Sequence, residues 1–130
     1  MTSSGLGLMG AAGYAPYCAA KAGIINFAES IRRELLFRKI GVYVACPGDL
    51  DTPQFENEIA DQPVWMKDKG YPRKALSAPL VAQSILKKCK GHSRLLILPD
   101  PTVKLLNFVL KILPRSWSRL LLDHMVPRPH

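Results

Sequence analysis

Cysteine and histidine are scarce in this chain, and its apolar runs are short. Cys18, Cys46 and Cys89 are odd in number and share no metal-like spacing, which argues against a disulfide framework and a cysteine-based metal site. His92, His124 and His130 are far apart and form no ligand set, so no metal is expected. No apolar run reaches the roughly 20 residues of a membrane span, and no signal-peptide pattern is read at the start. Together these absences imply a reducing, cytoplasmic setting, with Cys18 and Cys46 packed as small hydrophobes in a predicted helix and strand. Cys18 adjoins Tyr17 and could be a redox handle, but neighbouring helix positions point in different directions, which favours packing.

Acidic residues are also few. Eighteen Lys and Arg stand against ten Asp and Glu, a formal net charge of +8. Such a balance can serve nucleic acid, an anionic membrane surface or cofactor phosphates. The basic residues are scattered over Arg32-Arg33, Lys87-Lys88-Cys89-Lys90 and Arg115, Arg119 and Arg128, with no aromatic side chains interleaved as stacking platforms, so no nucleic-acid partner is expected. Solvated faces of amphipathic helices account for most of this charge.

What is present is a constellation. Tyr17 and Lys21 are four apart in a helical pattern, which sets them on one face with about 5–6 Å between their Cβ atoms. A free tyrosine ionises near pH 10, and a neighbouring cation favours its phenolate. A phenol placed in this way can give a proton to a carbonyl oxygen as hydride reaches the carbon, or take one back. Ser4, thirteen positions before Tyr17, could hydrogen-bond the same oxygen. Further on, residues 41–46 read as a short buried strand bounded by Gly41 and Pro47.

Ser4, Tyr17 and Lys21 resemble the serine, tyrosine and lysine of the short-chain dehydrogenases/reductases. Pro47-Gly48-Asp49-Leu50-Asp51-Thr52 is similar to that family's Pro-Gly-x-(Val/Ile)-x-Thr loop, with Leu50 where Val or Ile is commoner. The resemblance implies an NAD(P)(H)-dependent interconversion of a ketone and a secondary alcohol. It makes Tyr17 the general acid/base, Lys21 its electrostatic partner and a contact of the nicotinamide ribose, and Ser4 the substrate-oxygen anchor. It places Pro47 and Gly48 against the nicotinamide, the Leu50 amide at the carboxamide, and the Thr52 hydroxyl beside it. NADP is not distinguished from NAD. Within the family, Asp49-Leu50-Asp51-Thr52-Pro53 followed by Phe55-Glu56-Asn57-Glu58 resembles in part the 3-ketodihydrosphingosine reductases, which commonly carry Pro-Pro-Asp-Thr-Asp-Thr-Pro there.

The implied fold is α/β, the C-terminal half of a doubly wound parallel-sheet Rossmann fold, with extra C-terminal helices. No Gly-x-x-x-Gly-x-Gly turn precedes Ser4. The Gly5-Leu6-Gly7-Leu8-Met9-Gly10 stretch follows the serine and reads as active-site loop. The family's Asn-Asn-Ala-Gly segment is missing too. Residues 1–100 therefore read as the catalytic half of the domain and 101–130 as an amphipathic helical extension, and the isolated chain is expected to be inactive. The alternative is a non-catalytic fragment or membrane-peripheral binding module.

The remaining pattern fills in the elements. Ile24, Ala28, Ile31 and Leu35 recur at helical steps in a helix from 14 or 15 to about 38, with Pro16 tolerated in its first turn. By resemblance, this helix packs on a second copy in a homo-oligomer. Residues 53–74 carry three prolines and no sustained period, and read as a long segment with at most one short helix. Its Phe55, Val64, Trp65, Met66 and Tyr71 could line a pocket for an apolar carbonyl or alcohol, or simply fix the loop to the core. Ser77 reads as N-cap of a helix over 78–90, and residues 94–99 as the last strand. Asp100 caps and Pro101 starts a helix with Val103, Leu106, Val109, Leu110 and Leu113 on one face, which Pro114 stops. A final helical segment over 116–125 carries Trp117, Leu120, Leu121 and Leu122. This pair could dock on protein, roof the substrate pocket or lie in a membrane interface.

Overall fold

Parallel strands need crossover connections, and the long helical pattern between the first two apolar segments supplies one. The computed structural model describes residues 1–62, 75–89 and 95–125. Helix α1 is Ala15–Leu35, followed by a 3-10 turn at Leu36–Arg38. Strand β1 is Val44–Ala45, β2 is Leu50–Asp51, and α2 is Pro53–Ala60. After the undescribed residues come β3 at Leu76–Ser77, α3 at Ala78–Lys88, β4 at Leu96–Ile97, α4 at Pro101–Ile112 and α5 at Arg115–Met125.

The main sheet has three parallel segments in register. Val44 pairs with Leu96 and Ala45 with Ile97, while Thr2 bridges Ala45 from the other side. Ser3 donates its N–H to the Ala45 carbonyl at 2.8 Å, and Cys46 donates to Ile97 at 2.9 Å. The order is residue 2, β1, β4, with the helical crossovers characteristic of an α/β fold. The strand expected over 41–46 is shorter than its apolar run, because its ladder to the last strand begins only at Val44, which donates to Leu95.

A second parallel pair was not expected. Leu50 pairs with Leu76 and Asp51 with Ser77, and Leu76 donates to the Asp49 carbonyl at 2.9 Å. This pair closes the loop after β1 onto the chain just ahead of α3.

The helix boundaries follow their chemistry. Pro16 sits in the first turn of α1, where its missing N–H costs nothing, and Lys39 at φ 56° turns the chain out of the 3-10 extension. Thr52 caps α2 by accepting from Phe55 N–H, and Asp100 caps α4 by accepting from Thr102 N–H at 2.7 Å. Ser77 does occupy the N-cap position of α3, but its side chain makes no capping bond. The lining expected from Val64, Trp65, Met66 and Tyr71 lies outside the described residues.

Ala28, Val44 and Cys46 are fully buried at the centre, with Leu8, Ile24, Ile25, Val42, Leu96 and Leu98 packed against them. The core is thus the junction of α1 with the sheet. Cys18 and Cys46 are buried free thiols, as their places in helix and strand imply. Glu29 and Arg33 pair one helical turn apart on exposed α1, a solvated use of that basic residue.

Burial pushes the Cys46 thiol above its ordinary 9.0, against a weaker downward pull from a hydrogen bond with Ser3. The unfolded chain therefore loses this proton first, so the contribution to stability is intact below pH 9.0 and is lost as pH rises towards the folded thiol's own ionisation. Denaturant titrations from neutral to alkaline pH should show a steeper fall in the native chain than in Cys46→Ala, by at most about 1.4 kcal/mol per pH unit. Parallel curves for the two proteins would refute this assignment.

Candidate functional site

A parallel sheet aims the carboxyl ends of its strands at one edge, and in open α/β folds ligands bind in the crevice outside that edge. Here three chain segments leave the sheet together. Ser4 and Gly5 follow the first, Gly48 and Asp49 follow β1, and Asp100 and Val103 follow β4, and all six line one cavity of about 270 Å³. Gly5 N–H donates to the Pro47 carbonyl at 2.7 Å, which ties the serine loop to the Pro-Gly loop. Leu6, Leu8 and Met9 from one side and Leu106 and Leu110 of α4 from the other make the cavity largely apolar.

Ser4 caps the 3-10 turn Gly5–Gly7, its hydroxyl oxygen accepting from Leu6 N–H at 3.2 Å. A hydroxyl has one donor and two acceptor lone pairs, so this bond leaves the O–H able to donate to a second group.

Tyr17 and Lys21 meet as their spacing predicts. Lys21 Nζ lies over the Tyr17 ring, 5.3 Å from its centroid, and both residues are half-buried. Neither is among the residues lining the cavity. What joins their helix to the serine loop is Ser3, only 3% exposed, whose hydroxyl donates to the Lys21 carbonyl at 2.7 Å across eighteen residues. Gly7 makes the approach close. A Cβ there would stand 2.6 Å from Ser3 Oγ and 2.9 Å from the Lys21 carbonyl carbon, so any side chain would force the loop away.

Ser3, Gly7 and Tyr14 were not singled out from the sequence. The Ser-Ser pair ahead of a glycine-rich turn was the available signal for Ser3. Tyr14 packs its ring edge against Tyr17, with centroids 6.3 Å apart and planes at 70°, and its hydroxyl accepts from the Gln62 carboxamide at 2.8 Å. Tyr17 is thus flanked by an aromatic ring and an ammonium.

The rest of the expected cofactor loop is spread along a backbone path. Gly48 lines the cavity, Pro47 does not but holds Gly5 through its carbonyl, and Leu50 lies in β2. Thr52, expected beside the nicotinamide, uses its hydroxyl to accept from Phe55 N–H and to donate to the Leu50 carbonyl, both at 3.4 Å. Among the described residues no group of His, Cys, Asp and Glu could hold a metal ion.

Residues 1–63 match the family model for short chain dehydrogenase. A 3-ketodihydrosphingosine reductase of Dictyostelium discoideum is 37% identical over 89 residues, 68% of this chain and 27% of the relative. A second, from Yarrowia lipolytica, is 28% identical over 113 residues, 83% of this chain and 29% of the relative. A 3-oxoacyl-(acyl-carrier-protein) reductase of Salmonella typhimurium is 51% identical over 47 residues, 36% of this chain and 19% of the relative. The chain thus spans under a third of the length of the curated relatives it matches. No solved structure matches it.

Proposed function

The chain belongs, through residues 1–63, to the short-chain dehydrogenase family, and from that premise we propose that it carries the proton-transfer half of an NAD(P)(H)-dependent ketone reductase acting on an apolar carbonyl compound. The observation that supports this most is the Lys21 ammonium over Tyr17, on a helix bound through Ser3 to the loop that bears Ser4. The apolar cavity beside Ser4 supports the substrate class.

Ser4 donates its free O–H to the carbonyl oxygen and holds the substrate in place. Tyr17 gives its phenolic proton to that oxygen, which becomes the alcohol, and the phenolate left behind is stabilised by the Lys21 charge and reprotonated from solvent. NAD(P)H, when bound, supplies the hydride that the carbonyl carbon receives. Its nicotinamide end would lie at the carboxyl edge of the sheet, where Gly48 lines a crevice shared with Ser4 and Pro47 ties the two loops together through its carbonyl. Tyr17, Lys21, Leu50 and Thr52 complete that set by resemblance, Thr52 with a hydroxyl already shared with the α2 cap.

The sequence contains no Gly-x-x-x-Gly-x-Gly turn ahead of Ser4 to bind dinucleotide phosphates. These 130 residues alone are therefore proposed to be inactive. Fused behind the dinucleotide-binding half of a short-chain dehydrogenase, they should reduce an apolar ketone with NADPH or NADH, and Tyr17→Phe should lower kcat by about 10²-fold or more, the scale of lost general-acid catalysis. Turnover unchanged by Tyr17→Phe would sink the assignment of the acid. Tyr17-dependent turnover by the unfused chain would sink the claim of inactivity.

A second reading, contact with an anionic membrane surface, rests on the outer side of the last two helices. Leu105, Phe108 and Ile112 of α4 are 60–64% exposed, and Trp117 and Leu120 of α5 are 66% and 59% exposed, with Lys104, Lys111 and Arg119 among them. Apolar area and basic charge add at such a surface. Among the described residues no helix is long and apolar enough to cross a membrane. Flotation with anionic liposomes should recover the chain but not a form ending at residue 100. Equal recovery of both would rule out these helices as the contact.

A further inference from the structure

Helix α4 is apolar on two opposite sides. At about 100° per residue, Val103, Leu106 and Leu110 fall on one side and Leu105, Phe108 and Ile112 on the other. The first three line the cavity beside Ser4, and the second three face outward. The inward stripe is held against the site by two close approaches. A Cβ on Gly48 would lie 2.2 Å from Asp100 Oδ2, and a Cβ on Gly5 would lie 3.0 Å from Val103 Cγ2. Asp100 is the residue that caps α4, so the Pro-Gly loop and the serine loop both abut the first turn of this helix.

We propose that α4 is the specificity wall of the substrate pocket: with the carbonyl oxygen at Ser4, the substrate's hydrocarbon chain runs along Val103, Leu106 and Leu110, so this helix sets the length of chain accepted. This rests on the reductase reading for the place of the carbonyl, and adds to it which residues choose the substrate. The chemistry follows from the lining. Ser4 at one end offers a hydroxyl donor, and the helical stripe beyond it offers branched aliphatic contacts at steps of three and four residues, with Thr102 and Asn107 of the same helix as polar neighbours in the lining. The volume, about 270 Å³, lies just below the roughly 300–1,000 Å³ of small-molecule sites and therefore limits the chain. A ligand with a short apolar chain would leave the far stripe uncovered and gain less.

The test is a binding series that needs neither cofactor nor turnover. Unbranched 2-alkanones from 2-butanone to 2-dodecanone are titrated calorimetrically into the 130-residue chain. Affinity should rise about three- to fourfold per added methylene, equivalent to about 0.8 kcal/mol each, and then level off when the stripe is covered. Leu106→Trp should fill the cavity and weaken the best ligand at least tenfold, whereas Leu86→Trp on exposed α3 should not. Val103→Ala, a milder change in case the tryptophan disturbs folding, should move the plateau to a longer alkanone. Affinity independent of chain length, no binding of any alkanone, or the same plateau in native and Val103→Ala chains would overturn the proposal. If binding follows the predicted series but the fused enzyme shows no Tyr17-dependent turnover, the reductase reading fails and the wall stands.

Discussion

The hydroxyl of Ser3 holds two pieces of chain that the sequence separates by eighteen residues. Its bond to the Lys21 carbonyl fixes the serine loop against the first turns of α1, and Gly7 permits the short distance by having no Cβ. A buried hydroxyl that lost this partner would cost about 1–3 kcal/mol, so the contact is selective as well as adhesive. Because Ser4 is the next residue and Tyr17 lies one turn before Lys21, the same bond sets how Ser4 stands relative to Tyr17, the residues proposed as substrate anchor and acid. Ser3 also donates its backbone N–H to the Ala45 carbonyl of β1, so one residue joins the loop, the helix and the sheet.

The sheet supplies the second constraint. Parallel strands with helical crossovers send every loop of one kind to one edge, and here those loops carry Ser4, Pro47-Gly48 and Asp100. Small residues at two of the three exits let α4 close over the edge. The helix after the last strand is therefore part of the pocket's geometry, while its outward face remains free for a different contact. A helix apolar on both sides is suited to that double position, since each face meets a different environment.

Much of this was legible in the sequence where the signal was local. The four-residue spacing of Tyr17 and Lys21 fixes a shared face on any α-helix, and Asp100-Pro101 is a start signal that the structure obeys. The α4 stripe of Val103, Leu106, Val109, Leu110 and Leu113 is the side that is half-buried. Long-range features were not legible. Nothing near Ser3 announces a bond to residue 21, and the pairing of Leu50 with Leu76 depends on how the chain returns between them. Thr52 was read as a cofactor contact and is seen as the cap of α2, because a threonine before a proline-started helix satisfies an exposed N–H whether or not a cofactor is near. The strand after Gly41 proved short for a similar reason, since an apolar run supplies side chains but only a neighbour supplies a ladder.

The account depends most on the loop and helix being joined through Ser3, and this can be measured by nuclear Overhauser contacts in the 130-residue chain. In Ser3→Ala, contacts between residues 3–7 and residues 17–21 should weaken, while the contacts of Tyr17 with Lys21, which are internal to α1, persist. Ser3→Thr, which keeps the hydroxyl, should restore the loop contacts. Unchanged loop-to-helix contacts in Ser3→Ala would contradict the account, because the site would then be held together without the interaction on which it is built.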